Sequence, residues 1–170
     1  MVKEPSPQNG FFKIKKGPDH PDRYKARLVA RGFDQRQGID FFDTYAPVAK
    51  IDSIRTVLAV GQHKRLRYRQ FDIATAFLNG QIHEKVFMEA PDGYKIDDTK
   101  CLLLRKALYG LKQSPRAWNS TFDRTLKELG FKATYNDSCV YRDNKSRYIL
   151  IYVDDGLVFA PRNVIGWFSA

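Results

Sequence analysis

The sequence predicts an α+β fold in which an antiparallel sheet packs against helices on one face. Three observations carry that expectation. Short runs with strand-like alternation are interspersed with two helical patterns in no strict βαβ order. Two β-rich runs, 147–153 and 157–160, are separated only by Asp154-Asp155-Gly156, a tight hairpin signal. The chain is 170 residues long, with 43% hydrophobic and 28% charged residues, which is about one domain of ordinary globular composition.

The elements follow in order. Phe11 to Lys15 alternates apolar and basic, Gly17-Pro18-Asp19 signals a turn, and Tyr24 to Ala30 alternates again, so a basic β-hairpin is expected. Ser53 is the expected N-cap of a helix carrying Ile54, Val57 and Leu58 and fading near Gly61 or soon after. Arg67 to Ile73 reads as a strand entering the core, and the chain turns after Asp72. Pro91-Asp92-Gly93 and Asp97-Asp98-Thr99 mark loops, Leu102 to Leu104 a short buried strand, and Tyr109-Gly110 a further break. The clearest helix starts at Ser114, with Pro115 at its first position, and stops at Gly130; Trp118, Phe122, Leu126 and Leu129 form its apolar face.

Several classes are excluded. No run approaches the ~18 apolar residues of a membrane span, and Met1 to Pro7 has no apolar signal core, so the chain reads as soluble and intracellular with no membrane partner. Cys101 and Cys139 cannot build a disulfide framework and lack zinc-ligand spacing; both are expected to be buried thiols. Net charge is +10, and residues 1–70 hold fifteen Lys and Arg against seven Asp and Glu. That concentration points to a polyanion such as nucleic acid, with an idle basic surface as the plain alternative.

The sharpest local feature is Ile151-Tyr152-Val153-Asp154-Asp155. Adjacent carboxylates after an apolar strand repel each other unless a cation or water intervenes. Asp also suits turn geometry, so the pair alone leaves both readings open. Asp72 ends another apolar strand. If the two strand ends are neighbours, Asp72, Asp154 and Asp155 converge as a hard oxygen donor set suited to Mg²⁺, and two such ions support in-line phosphoryl transfer.

The run Tyr24-Lys25-Ala26-Arg27-Leu28-Val29-Ala30-Arg31-Gly32-Phe33, with Gly38-Ile39-Asp40 and Thr44-Tyr45-Ala46-Pro47-Val48 after it, closely resembles the reverse transcriptase of copia-type LTR retrotransposons. So do Phe71-Asp72-Ile73-Ala74-Thr75-Ala76-Phe77-Leu78-Asn79-Gly80, the run Ala107 to Trp118, and Tyr152-Val153-Asp154-Asp155. The resemblance covers about Phe11 to Ala160. It implies a right-hand polymerase region with basic fingers and an α+β palm, acting as an RNA-directed DNA polymerase. The expected organisation is a tail over 1–10, one unit over 11–162 with a fingers hairpin at about 11–31 and palm motifs at about 67–80 and 114–160, and an atypical tail over 163–170. Full-length members continue into a thumb and an RNase H domain, so these are expected to be absent and the chain truncated.

The resemblance also assigns roles. Asp72, Asp154 and Asp155 match the metal-binding catalytic carboxylates, holding two Mg²⁺, with Mn²⁺ as the alternative. Phe77 matches the aromatic position that packs under the incoming sugar and excludes a 2′-hydroxyl; an ordinary core Phe is the alternative. Lys25 and Arg27, on one strand face with Val29, are expected to bind the triphosphate or, equally, template phosphate. Tyr109, Gly110 and Tyr152 fall at nucleotide-contacting positions, although retroviral enzymes carry Gln where this chain has Tyr109. The implied partners are a dNTP, an RNA or DNA template with its primer, and the rest of a Pol polyprotein. The implied setting is the cytoplasm, with the nucleus as the alternative. A relic that binds nucleic acid without catalysis is the competing functional reading.

Overall fold

The computed structural model describes residues 8–16, 21–97 and 99–164. The turn expected at 17–19 and the terminal segments 1–7 and 165–170 lie outside the described residues. The element order is β1 (Gln8–Lys15), β2 (Arg23–Ala30), α1 (Ile51–His63), β3 (Arg67–Asp72), β4 (Gln81–Met88), β5 (Leu102–Lys106), α2 (Ser114–Glu128), β6 (Lys132–Ala133), β7 (Val140–Arg142), β8 (Tyr148–Tyr152) and β9 (Asp155–Ala160). Short 3-10 turns occupy Gly32–Asp34 and Ala76–Asn79. Every pair of strands in the sheets is antiparallel, so the α+β expectation holds.

Contacts gather into two compact units that interleave along the chain: one from residues up to Tyr45 together with Phe77–Trp118, the other from Ala46–Ala76 together with residues from Asn119 onward. In the first unit β1 and β2 pair from Gln8↔Ala30 to Lys15↔Arg23. Residues opposite each other share a face, so Lys13, Lys15, Arg23, Lys25 and Arg27 stand on one side of this hairpin, and Phe12, Ile14, Tyr24 and Ala26 on the other. β4 and β5 form a second pair. Ala30, Val86, Met88 and Leu111 are buried, with Leu28, Ile82, Leu102, Leu104 and Leu108 packed on them. Each Val, Leu, Ile or Met side chain taken fully out of water contributes about 1.5–3 kcal/mol.

The second unit is built on a five-stranded sheet of order β3-β9-β8-β7-β6. Its central strands are apolar on successive positions: Ile149, Leu150 and Ile151 on β8 and Val158, Phe159 and Ala160 on β9 are all buried. Such unbroken runs belong to a sheet covered on both sides. Register supports that. Phe159 lies opposite Tyr148, and α1 brings Gly61 so close to the Phe159 ring that a Cβ there would overlap it. Val158, Ile149 and Tyr141 form the adjacent row, facing the other way. On that side α2 sets Phe122 edge-on to Tyr141, ring centroids 6.1 Å apart, and Tyr141 donates its hydroxyl hydrogen bond to Asp123 at 3.2 Å. Burial, with the Asp123 carboxylate beside it, raises the Tyr141 pKa. Helices therefore meet both faces, where the sequence suggests cover on one.

Local details also differ from the sequence reading. α1 begins two residues before Ser53, with Lys50 as its N-cap. Its exposed N-terminal donors are met from outside the helix: Asp137 accepts from the Lys50 backbone N–H at 2.9 Å and also from the Ser53 side chain. Asp137 accepts a further bond from the Cys139 N–H at 2.9 Å. Burial opposes its ionisation, but these donors and the Lys50 ammonium outweigh that and leave its pKa below 3.8. Leu129 lies past the end of α2 and is exposed rather than on its buried face. Of the two cysteines expected to be buried, Cys139 is, but Cys101 is exposed.

Candidate functional site

The second unit brings the three predicted carboxylate residues to one end of its sheet. Asp72, the last residue of β3, lies opposite Asp155, the first of β9, and Asp155 lies opposite Tyr152, the last of β8. These three form one row across the strands, with side chains on the same face. The hairpin loop is Val153-Asp154. The sequence reading placed the turn at Asp154-Asp155-Gly156; instead Asp155 and Gly156 are strand residues. The Asp154 carbonyl accepts a hydrogen bond from the Ile73 N–H at 2.8 Å, which ties the loop to the residue after Asp72. Val153 carries φ of 61°, a left-handed conformation that costs a β-branched residue about 1–2 kcal/mol.

Asp72 and Asp155 are exposed and Asp154 is half-buried. Like charges directly opposite on neighbouring strands destabilise the pair. The donors are all carboxylate oxygens, the chemistry that suits a hard divalent cation. As they stand the side chains are open: among the described residues no three His, Cys, Asp or Glu side chains form a group that could hold a metal ion. The backbone thus brings Asp72, Asp154 and Asp155 to one strand end.

The first unit brings together Arg27, Phe77 and Tyr109. The Phe77 and Tyr109 rings are tilted at 55° with centroids 4.7 Å apart, and the Arg27 guanidinium carbon lies 5.7 Å from the centre of the Tyr109 ring. Lys25, Arg27 and Val29 are half-buried on one side of β2, as the alternation predicts. Lys13 lies directly opposite Lys25, and Lys15 opposite Arg23. Such pairing of cations is unfavourable by itself and is relieved by a polyanion.

Sequence reasoning missed what fixes this cluster. Gly110 has φ of 93° and its backbone lies against Ala30, while Gly32 lies against the Gly110 carbonyl; a Cβ on either glycine would overlap backbone atoms of the facing segment. The Ala30 N–H donates to the Tyr109 carbonyl at 2.8 Å. A buried amide pair stands beside this contact. Gln35 Nε2 donates to Gln113 Oε1 at 3.0 Å, the Lys112 N–H donates to Gln35 Oε1 at 2.8 Å, and Gln113 Nε2 donates to the Asp40 carbonyl at 3.0 Å. The Lys112 ammonium donates to the Gln35 carbonyl at 3.0 Å and lies 5.1 Å from the Phe41 ring centre. Neither glutamine lies in a periodic apolar pattern, so the sequence carries no signal of its burial.

A family profile described as reverse transcriptase (RNA-dependent DNA polymerase) matches residues 2–165. The chain belongs to this family. It is 43% identical over 163 residues to the retrovirus-related Pol polyprotein from transposon TNT 1-94 of Nicotiana tabacum, covering 92% of the chain and 12% of that relative. The Pol polyprotein from transposon RE2 of Arabidopsis thaliana is 42% identical over 149 residues, covering 85% of the chain and 10% of the relative. The transposon Ty1-ER2 Gag-Pol polyprotein of Saccharomyces cerevisiae is 33% identical over 143 residues, covering 81% of the chain and 8% of the relative. The copia-type resemblance seen in the motifs is therefore a family relationship that spans most of the chain. The chain spans about a tenth of the length of these relatives. No solved structure matches it. In this reverse transcriptase region the carboxylate row and the Arg27–Tyr109–Phe77 cluster both fall inside the matched residues. No helix among the described residues is long and apolar enough to cross a membrane.

Proposed function

We propose that this chain is the catalytic-core region of an RNA-directed DNA polymerase that works within a Pol polyprotein and adds a dNTP to a primer 3′-hydroxyl on an RNA or DNA template. The observation that carries the reading is the register of Asp72 against Asp155, with Asp154 in the intervening hairpin loop and tied through its carbonyl to Ile73. Asp72, Asp154 and Asp155 would hold Mg²⁺, or Mn²⁺ in its place. When bound, the ions lower the pKa of the attacking hydroxyl and neutralise charge on the leaving oxygen. The protein's own part is to fix the carboxylates at one strand end and to supply cationic side chains for phosphate.

In this proposal the β1–β2 hairpin acts as basic fingers over about 11–31, and the motifs at about 67–80 and 114–160 form the palm. Lys25 and Arg27 meet phosphate, Phe77 excludes the 2′-hydroxyl, and Tyr109, Gly110 and Tyr152 complete the nucleotide contacts. The setting is intracellular. A nucleic-acid-binding relic without catalysis is the second reading, because the basic face of the β1–β2 hairpin would serve it equally well.

One substitution separates the two readings. In a Pol polyprotein carrying this region, Asp154→Asn removes one charge and keeps a residue suited to turns. Under the catalytic reading it abolishes primer extension and leaves primer-template affinity within about twofold, because affinity rests mostly on phosphate contacts. Extension undiminished by Asp154→Asn overturns the catalytic assignment. Unchanged affinity together with no extension by the native sequence supports the relic.

A further inference from the structure

We infer that Tyr109 is also a positioning residue for sugar discrimination, holding the Phe77 ring in place. The inference rests on the reading of Phe77 as the group that excludes a 2′-hydroxyl. A ring can reject a hydroxyl by bulk only while the ring itself cannot yield. Phe77 sits in a four-residue 3-10 turn, Ala76–Asn79, just after Thr75 with its φ of 54°. The turn closes through the Gly80 N–H on the Phe77 carbonyl at 2.9 Å, and Gly80 in turn accepts from the Ala107 N–H at 2.9 Å. Those bonds hold the backbone, and the half-buried ring is positioned by what it touches.

The Phe77 ring meets that of Tyr109. A centroid separation of 4.7 Å with a 55° tilt lies inside the favourable range for aromatic pairs. Tyr109 makes a rigid backing because its own loop is fixed from both sides. Its carbonyl is bound by the Ala30 N–H, Gly110 packs on Ala30, and the Gln35–Gln113 pair fastens the segment that follows. The Arg27 guanidinium over the Tyr109 ring adds a further restraint.

An aromatic pair of this kind weights the position of a ring by about two- to tenfold. Loss of the Tyr109 ring is therefore expected to narrow the preference for dNTP over rNTP by about fivefold. Any disturbance of Arg27 through the same ring weakens both nucleotides through their shared triphosphate and cancels in the ratio.

The test is equilibrium competition between dUTP and UTP, which differ only at the 2′ position, for the full chain bound to a primer-template whose primer ends in a 3′-deoxy nucleotide, so that no transfer occurs. Tyr109→Phe is expected to keep the native ratio of dissociation constants, and Tyr109→Ala to narrow it by about fivefold. Tyr109→Leu, which keeps apolar bulk without a ring face, narrows it likewise and serves if the alanine variant unfolds. A ratio unchanged in both Tyr109→Ala and Tyr109→Leu, with Phe77→Val collapsing it, overturns the inference and leaves the Phe77 reading standing. A native ratio near one, or one that Phe77→Val does not move, overturns the Phe77 reading and the inference with it.

Discussion

The Phe71 ring lies across Gly156 on the neighbouring strand, its carbons occupying the space that a Cβ would need. Phe71 precedes Asp72 and Gly156 follows Asp155, so this contact sets the spacing of the strand ends that carry the two facing carboxylates. Gly156→Ala forces the ring aside or the strands apart and is expected to cost about 1–3 kcal/mol, read as a lower Tm. Combining it with Phe71→Leu should recover part of the loss. Equal and additive losses in the two single variants would show that the ring and the glycine do not interact.

Asp137 caps α1 from a distant segment, and its removal should be felt in a defined pH range. Asp137→Ala strands the N–H groups of Lys50 and Cys139 and is expected to cost about 1–2 kcal/mol at neutral pH. The folded-state pKa is depressed below the ordinary carboxylate value. The stabilisation it carries is therefore complete above the unfolded pKa of about 3.9 and declines as pH falls through the lower folded value. Urea unfolding of native and variant chains should differ at pH 7 and converge on acidification below about pH 4. A gap that persists at the lowest pH would assign the effect to packing instead.

The two thiols should behave differently. Cys139 is buried, and burial, reinforced by the nearby Asp137 carboxylate, pushes its pKa up to about 12, whereas Cys101 is exposed. The thiolate is the reactive form, so a disulfide reagent at pH 8 is expected to titrate one thiol in the native chain and two after denaturation. Two fast-reacting thiols in the native state would contradict the burial of Cys139.

Most elements that carry the candidate site are legible in the sequence because each has its own local signal. Pro115 marks the start of α2, alternation marks β1 and β2, and unbroken apolar runs mark β8 and β9. Asp72 and Asp154-Asp155 stand at strand ends, and the motif resemblance names them before any geometry is known. Tertiary choices are less legible. β4 turns Ile82, Val86 and Met88 inward, an alternation that the charged residues between them obscure in the sequence. The cap of α1 comes from Asp137, 87 residues away from Lys50, so the local signal at Ser53 misplaced the start of the helix. Gly156 reads locally as a turn glycine, which puts the loop too late in the sequence, whereas its lack of a side chain serves the Phe71 ring. The meeting of Arg27, Phe77 and Tyr109 depends on the close backbone contact of Gly32 and Gly110, which no periodicity encodes.

The basic face of the hairpin separates a nucleic-acid surface from an idle one by two measurements on one variant. Lys13 and Lys15 are exposed and lie opposite Lys25 and Arg23, so each sits in a like-charged cross-strand pair. Lys13→Gln/Lys15→Gln relieves both pairs without altering either partner on β2. If the face is idle, the variant gains or holds stability and binds a primer-template as the native chain does. If it meets phosphate, stability again holds, but affinity falls for every sequence tested, because phosphate contacts carry no base information. Each phosphate contact contributes about 0.9 to the slope of log affinity against log salt on duplex, so the variant's slope should be shallower by about 1.8. Fluorescence titrations at three salt concentrations, with thermal unfolding alongside, give both quantities. An unchanged slope with unchanged Tm assigns the charge on this face to solubility alone, whereas a shallower slope at undiminished Tm places nucleic acid on β1 and β2.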